Sequence, residues 1–236
     1  MSNRICALFS IVDYSKADDL IEIYNFAKAP ISVSTHGFGC ADTSMLEYLG
    51  FGENKKSIMI SILSSERVNY IFDLAEEKMN ISKPGKGIMF TVPLTSATSF
   101  LSGIVKKDDE TQPKISKEKD FYMTNEHQYE LVITIITKGY FQDVKNAAIS
   151  AGARGGTLIH ALGMGGEEAQ KFLGIAIQPE KEIILNVVKR EDKNKVMNAI
   201  AEASGINTQG RGIIFSLPVD CVVGLNKSTQ AEETNE

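Results

Sequence analysis

The chain has 236 residues, 25 Lys and Arg against 30 Asp and Glu, three Cys and no Trp. That length holds one large domain or two of about 100 residues each. With 43% hydrophobic and 23% charged residues, a disordered, collagen-like or disulfide-dense chain is excluded. Residues 1–100 carry nine basic and eleven acidic groups, residues 101–128 five and six, and residues 129–236 eleven and thirteen. No segment has the basic excess that a nucleic-acid surface needs.

The N-terminal stretch MSNRICALFSIVDYSKADD lacks the basic start, longer apolar core and cleavage site of a signal peptide. No run approaches the ~18 apolar residues of a membrane span. The expectation is a cytoplasmic protein without membrane insertion. Cys6, Cys40 and Cys221 form no CxxC, and three unpaired, mostly buried thiols fit a reducing compartment.

Ile5–Val12 is an apolar run with strand character. Asp18–Lys28 places Leu20, Ile23, Tyr24 and Ala27 on one helix face. Pro30–Phe38 alternates Ile31 and Val33 with polar residues, the pattern of a half-buried strand. Gly39–Lys56 reads as a connecting loop with a helical turn around Ser44–Leu49. Ser57–Leu63 alternates Ile58, Ile60 and Ile62 as a strand. Glu66–Met79 carries Val68, Ile71, Phe72 and Ala75 at helical spacing, and Gly87–Val92 is a closing strand. The second half reads as strand Leu131–Thr137, helix Phe141–Ala151, strand Gly155–Leu162, loop Gly163–Gln178, strand Glu182–Val188, helix Asp192–Ser204 and strand Ile213–Leu217.

The two halves repeat each other. Pro84-Gly85-Lys86-Gly87-Ile88-Met89-Phe90-Thr91-Val92-Pro93-Leu94 aligns with Gln209-Gly210-Arg211-Gly212-Ile213-Ile214-Phe215-Ser216-Leu217-Pro218-Val219, 125 positions later. His36-Gly37-Phe38-Gly39 aligns with Leu162-Gly163-Met164-Gly165 at an offset of 126. The expectation is a tandem duplication of an α+β unit with the order β-α-β-β-α-β, which is the ferredoxin-like sandwich. The bare face of each sheet needs a cover, and another copy of the domain is the expected one. The boundaries are domain 1 at 1–102, a charged linker at 103–128, domain 2 at 129–227 and a polar tail at 228–236. The linker carries Lys106-Lys107-Asp108-Asp109-Glu110 and Lys117-Glu118-Lys119-Asp120 without apolar periodicity.

The glycine elements are the features that look like a ligand site. Glycines let backbone N–H groups approach a ligand, and successive N–H groups form an anion-binding concavity. Arg211 between Gly210 and Gly212, and Lys86 between Gly85 and Gly87, each add a cation that can pair with phosphate. Two tight turns with solvated Lys86 and Arg211 are the alternative.

Arg154-Gly155-Gly156-Thr157-Leu158-Ile159-His160-Ala161-Leu162-Gly163-Met164-Gly165 resembles the second-strand motif of the nitrogen regulatory PII signalling proteins. That motif is R-G-x-T followed, after four or five residues, by G-F-G. Gly210-x-Gly212-x-Ile214-Phe215-x-Leu217-Pro218-Val219 is similar to the family's closing motif, G-D-G-K-I-F-x-x-P-V. Gly37-Phe38-Gly39 and Gly85–Pro93 carry the same elements in the first half. The resemblance implies two ferredoxin-like PII-type domains in tandem and a trimeric, homo-oligomeric assembly. It further implies adenine-nucleotide binding (ATP, ADP or AMP) between neighbouring domains, and a loop that docks on a target such as a transporter or an enzyme. The implied role is regulatory, in nitrogen or carbon metabolism, and not catalytic.

Carried over position by position, Thr157, Gly163 and Gly165 match one wall of the cleft, and Gly210 and Gly212 match the backbone that cradles phosphate, with Arg211 beside them. Gly37, Gly39, Gly85 and Gly87 match in the first half, with Lys86, while Ile31 stands in the place of the Thr. Several charged family positions differ. Ile213 and Ile88 stand where the family has a phosphate-binding Lys, and an apolar side chain does not screen phosphate. Gly224 and Asn226, and Ser99 and Leu101, stand where it has two Arg. Glu167 and Ala41 stand at the metal-coordinating Gln, so no metal is expected. A PII-fold interaction module that has lost nucleotide binding is therefore the alternative function. A divalent-cation tolerance protein of the same fold is a third reading.

Tyr48 reads as a local apolar contact with Leu49 and Phe51. His36 and Cys40 stand four apart without a third ligand. His160 falls on a strand, and His127 completes the histidines. No Ser/His/Asp or Cys/His set marks a nucleophile.

Overall fold

The structure is a computed structural model and describes residues 5–39, 55–98, 101, 103–105, 127–163, 170–172, 175–177 and 180–225. In the first half the elements are β1 (Ile5–Asp13), α1 (Ala17–Phe26), β2 (Ile31–Gly39), β3 (Lys55–Ser64), α2 (Ser65–Met79) and β4 (Ile88–Pro93). In the second they are β5 (Tyr129–Thr137), α3 (Phe141–Ser150), β6 (Thr157–Leu162), β7 (Gln170–Phe172), β8 (Ile175–Ile177), β9 (Glu180–Lys189), α4 (Lys193–Ser204), β10 (Ile213–Val219) and β11 (Cys221–Val223). The order β-α-β-β-α-β stands in both halves. Two compact units contain these elements: Met1–Val33, Met59–Tyr122 and Cys221–Glu236 form one, and Ser34–Ile58 and Met123–Asp220 the other.

Local chemistry sets the helix ends. The Asp13 carboxylate accepts the Ser15 N–H at 3.1 Å and stops β1. Asp18 and Asp19 occupy the first turn of α1, where acids favour the helix dipole. Ser64 caps α2 by accepting the Arg67 N–H. Asn80, in the left-handed region at φ 52°, closes it by donating to the Glu76 carbonyl.

In the first unit the strands run β11-β4-β1-β3, with the start of β2 beyond β3. The helices cover one face. Leu20, Ile23, Tyr24 and Ala27 of the α1 stripe are buried, as are Val68, Ile71, Phe72 and Ala75 of α2. Both predicted helix faces are therefore the packed ones. The Tyr24 hydroxyl pairs with Ser10 Oγ at 2.6 Å, and burial raises its pKa well above the usual phenol value. On the opposite face Phe9 and Phe90 stack at 5.1 Å.

In the second unit the strands run β10-β5-β9-β6, an antiparallel ferredoxin-like sheet, with the Phe38–Gly39 end of β2 against β6. Val144 and Ala148 of α3 and Val196 and Ile200 of α4 pack on Val132, Ile136, Leu158, Ile184 and Val188. Because side chains alternate along a strand, the face away from the helices carries Ile133, Ile135, Ile183, Val187, Ile213 and Phe215. Ile213 is 57% exposed and Phe215 39%.

Three expectations need correction. The alternation at Val33 predicts a half-buried strand, and Val33 is 60% exposed; alternation marks a strand but not its cover. The loop Gly163–Gln178 contains the hairpin β7–β8, registered Gln170 to Ile177 and Phe172 to Ile175. Strands of three residues are too short for periodicity to detect. The chain also forms β11 after the predicted end of the last strand. The helical turn Ser44–Leu49 with Tyr48, Cys40 and Ala41, most of the linker, Gly165, Glu167, Ser99, Asn226 and the tail lie outside the described residues.

Removing a buried ring from the first core costs more than removing an exposed one. Phe72→Ala should lose about 3–5 kcal/mol. Phe26, 61% exposed and set against the Tyr70 ring and Lys78 Nζ, should lose at most about 1 kcal/mol as Ala. Urea unfolding midpoints at constant slope measure both; equal losses would contradict a core built around Phe72.

Candidate functional site

The second glycine loop is built on the C-terminus of α4. Gly205 follows the helix, and its N–H bonds the Ala201 carbonyl at 3.0 Å. Thr208 then turns the chain: its N–H and its hydroxyl both donate to the Gly205 carbonyl, at 2.9 and 2.8 Å. The backbone donors of Gly210, Arg211 and Gly212 are used within the chain. The Gly210 N–H bonds Thr208 Oγ1 at 3.2 Å. The Arg211 N–H bonds the Thr208 carbonyl at 3.2 Å, and the Gly212 N–H bonds the Ser204 carbonyl at 2.8 Å.

Glycine is required here for packing. A Cβ on Gly212 would collide with the Ser204 carbonyl oxygen, and one on Gly210 would lie 3.2 Å from Ser204 Cβ. Both glycines are buried, whereas Arg211, at φ 48°, is exposed. This loop turns its N–H groups to its own chain. Sequence reasoning missed the partners, Ser204 and Thr208. A helix-ending Ser-Gly pair with Thr three residues after that glycine was the available signal.

The neighbouring end of the sheet is ionic. Lys138 Nζ lies 2.8 Å from Glu180 Oε2, and this hydrogen bond raises the lysine's pKa above its usual value. Glu182 accepts the Gly139 N–H at 3.2 Å, Lys181 donates to Thr137 Oγ1 at 3.4 Å, and the Tyr140 hydroxyl donates to Gln209 Oε1 at 3.1 Å.

Gly37, Gly39 and Thr157 form a second place. Antiparallel pairing sets Phe38 opposite Leu158 and Gly39 opposite Thr157. A Cβ on Gly37 would stand 2.5 Å from the Leu158 carbonyl oxygen and 3.2 Å from Thr157 Cγ2. Gly37 is buried and Thr157 is 6% exposed. His160, on the same strand, sets its ring edge-on to Phe38 at 5.5 Å.

The register separates these places. Thr157 faces Leu185, and Leu162 faces Glu180, so Thr157 lies about 20 Å along the strand from Gly163. Gly163 and the Gly210–Gly212 loop share one end of the sheet. β5 and β9 intervene between their strands, a distance of about 14 Å.

In the first unit, Gly85, Lys86 and Gly87 form the corresponding loop. Gly85 (φ 76°) and Gly87 (φ 137°) adopt backbone conformations that side chains disfavour. A Cβ on Gly87 would stand 2.6 Å from the Ile11 carbonyl oxygen. The Lys86 N–H bonds the Lys83 carbonyl at 3.2 Å, and its side chain is exposed.

A separate notch of about 630 Å³ in the second unit is lined by His127, Gln128, Tyr129, Lys189, Arg190 and Glu191; none of the predicted ligand residues lines it. Among the described residues no group of His, Cys, Asp and Glu is placed to hold a metal, and no helix is long and apolar enough to cross a membrane.

Gly212→Ala should destabilise the second unit by about 1–3 kcal/mol, through the collision with Ser204 and loss of its hydrogen bond. Gly85→Ala meets no atom within 4 Å and should cost only the left-handed backbone strain of about 1–2 kcal/mol. Double-mutant cycles with Ser204→Ala should show no side-chain coupling to Gly212, since the carbonyl is the partner.

A comparison with curated proteins gives no match. Among solved structures, the chain is similar to Arabidopsis thaliana PII bound to citrate, with 27% identity, 39% of this chain and 76% of that chain covered, and a TM-score of 0.31. The family model described as Nitrogen regulatory protein P-II matches residues 129–228. Residues 129–228, less than half of the chain, are thus similar to the nitrogen regulatory protein P-II family.

Proposed function

We propose that this protein is a non-catalytic regulator of the P-II type that controls a partner protein, in the setting of nitrogen or carbon metabolism. The single observation that carries this reading is the P-II family match over residues 129–228. The proposed ligand is an adenine nucleotide, ATP, ADP or AMP, or a related small anion. With the Gly210, Arg211 and Gly212 N–H groups bonded within the chain, the side chains proposed for its recognition are Arg211 in the second loop and Lys86 in the first. An arginine fork suits phosphate or carboxylate in either case.

A specific observation favours a second reading. The three N–H groups that would cradle phosphate are already bonded, and the neighbouring Ile213 is apolar and exposed. Both are consistent with a P-II-type interaction module that binds no nucleotide.

Thermal unfolding with millimolar ATP, ADP and AMP tests the two. A ligand present at 100 times its Kd stabilises by about 2.7 kcal/mol, worth a few degrees in a domain of this size. The first reading expects such a shift, weakened by salt and lost in Arg211→Ala. A shift that survives Arg211→Ala removes the side-chain assignment, and no shift with any nucleotide leaves the interaction module.

A further inference from the structure

The two units can be set element on element. β1 and β5 have nine residues each, α1 and α3 ten, and β3 and β9 ten. Place for place, Ser10 of β1 then matches Thr134 of β5. Tyr24 of α1 matches Ala148 of α3, and Ser61 of β3 matches Asn186 of β9. All six residues are buried.

In the first unit these positions form a closed polar chain. The Tyr24 hydroxyl reaches down from α1 and pairs with Ser10 Oγ at 2.6 Å. It also hydrogen-bonds Ser61, whose Oγ pairs with Ser32 Oγ at 2.6 Å. One phenol oxygen thus joins β1 to β3 beneath the helix, as buried polar groups require partners.

In the second unit the same positions lack that link. Ala148 carries no polar side-chain atom and lies in the core with Val132, Ile136, Ile184 and Val188. Those four flank Thr134 and Asn186 at two-residue steps, so both polar side chains face the helices as well. Among the described residues, neither Thr134 Oγ1 nor Asn186 Oδ1 has a hydrogen-bond partner. The amide is oriented, because Asn186 Nδ2 donates to the Gly155 carbonyl at 2.8 Å. Gly156 leaves room for that contact, since a Cβ on it would collide with the same nitrogen. The oxygen is therefore the end left over. Register sets Thr134 opposite Ile184 and Asn186 opposite Val132, which makes Thr134 and Asn186 diagonal neighbours on one face. Such neighbours stand about 7–8 Å apart, and somewhat less between Cβ atoms. Two buried polar atoms side by side, both without partners, are costly.

We propose that the second core binds one buried water between Thr134 and Asn186, beneath Ala148, in the place that the Tyr24 hydroxyl holds in the first. The Thr134 hydroxyl donates to the water oxygen, and the water donates to Asn186 Oδ1. Two O–H···O bonds of about 2.8 Å each let one water bridge a gap that a direct bond does not. Alanine in the place of tyrosine supplies the room, and the two side chains supply the two polar partners a buried water needs. The first core is thus linked by a side chain and the second by an exchangeable solvent molecule. This inference concerns the core and rests on neither the proposed ligand nor the family match.

A crystal structure of the full chain reads the site directly. The expected result is a density peak about 2.7–3.0 Å from both Thr134 Oγ1 and Asn186 Oδ1. A site without that peak, or one with the two side chains bonded directly, overturns the proposal. Thr134→Val tests it in solution, because it nearly keeps the shape and deletes the hydroxyl. With the water bound, the substitution removes a satisfied hydrogen bond and should lower the urea midpoint. Without it, the substitution removes an unsatisfied hydroxyl and should raise the midpoint. A raised or unchanged midpoint therefore overturns the proposal. The crystal structure of the variant should lose the peak and keep the bond from Asn186 to Gly155. A peak that persists in the variant is not held by Thr134, and this too overturns the proposal.

Discussion

At the start of β10 the Gly212 N–H donates to the Ser204 carbonyl at 2.8 Å, across a gap that only a residue without Cβ can enter. This bond joins the end of α4 to the next strand of its sheet. It satisfies one of the carbonyls left over at a helix C-terminus, and it fixes where β10 begins and thereby its register on β5. The same bond governs chemistry. A donor held by the helix end is not available to an anion, so the turn that builds the sheet removes part of the backbone cradle a phosphate would use. The first unit shows a related solution, where Gly87 closes on the Ile11 carbonyl.

Under the proposed function, recognition falls to side chain and surface. Arg211 and Lys86 are exposed from turns whose backbone is internally bonded. Beside Arg211 the chain turns apolar, through Ile213 and Phe215. A site of this composition combines one long cation with an apolar strand edge. That combination suits protein contact as well as it suits a small anion, since aromatic and arginine groups carry much of the energy at protein interfaces. The two sides of the second sheet divide the work: α3 and α4 seal one face, and the other keeps apolar side chains partly exposed.

Helices were the most legible elements in the sequence. The stripes Leu20, Ile23, Tyr24, Ala27 and Val68, Ile71, Phe72, Ala75 are the buried faces, because a helix needs a contiguous apolar stripe to pack on a sheet. Strands were legible in place and not in environment. Val33 has the alternation of a half-covered strand, yet it is exposed. The hairpin β7–β8 and the strand β11 were not legible, because three residues carry too little periodicity and their existence depends on a partner strand. At the candidate site the glycines were legible and their use was not: Gly37 is read as readily as a ligand contact as it is as the point where β2 meets the Leu158 carbonyl.

The sequence by itself determined the order β-α-β-β-α-β, the helix faces and the family resemblance, and raised the expectation of a repeat. All of these are patterns along the chain, set by local spacing and by side-chain type. Tertiary structure alone decided which glycine N–H groups are spent inside the fold, how far Thr157 stands from the Gly210–Gly212 loop, and which strand edge is covered. Each of those depends on a partner distant in sequence, Ser204 for Gly212, Leu158 for Gly37 and Thr91 for Cys221. Hydrogen-bond satisfaction between distant segments leaves no period in the sequence to read.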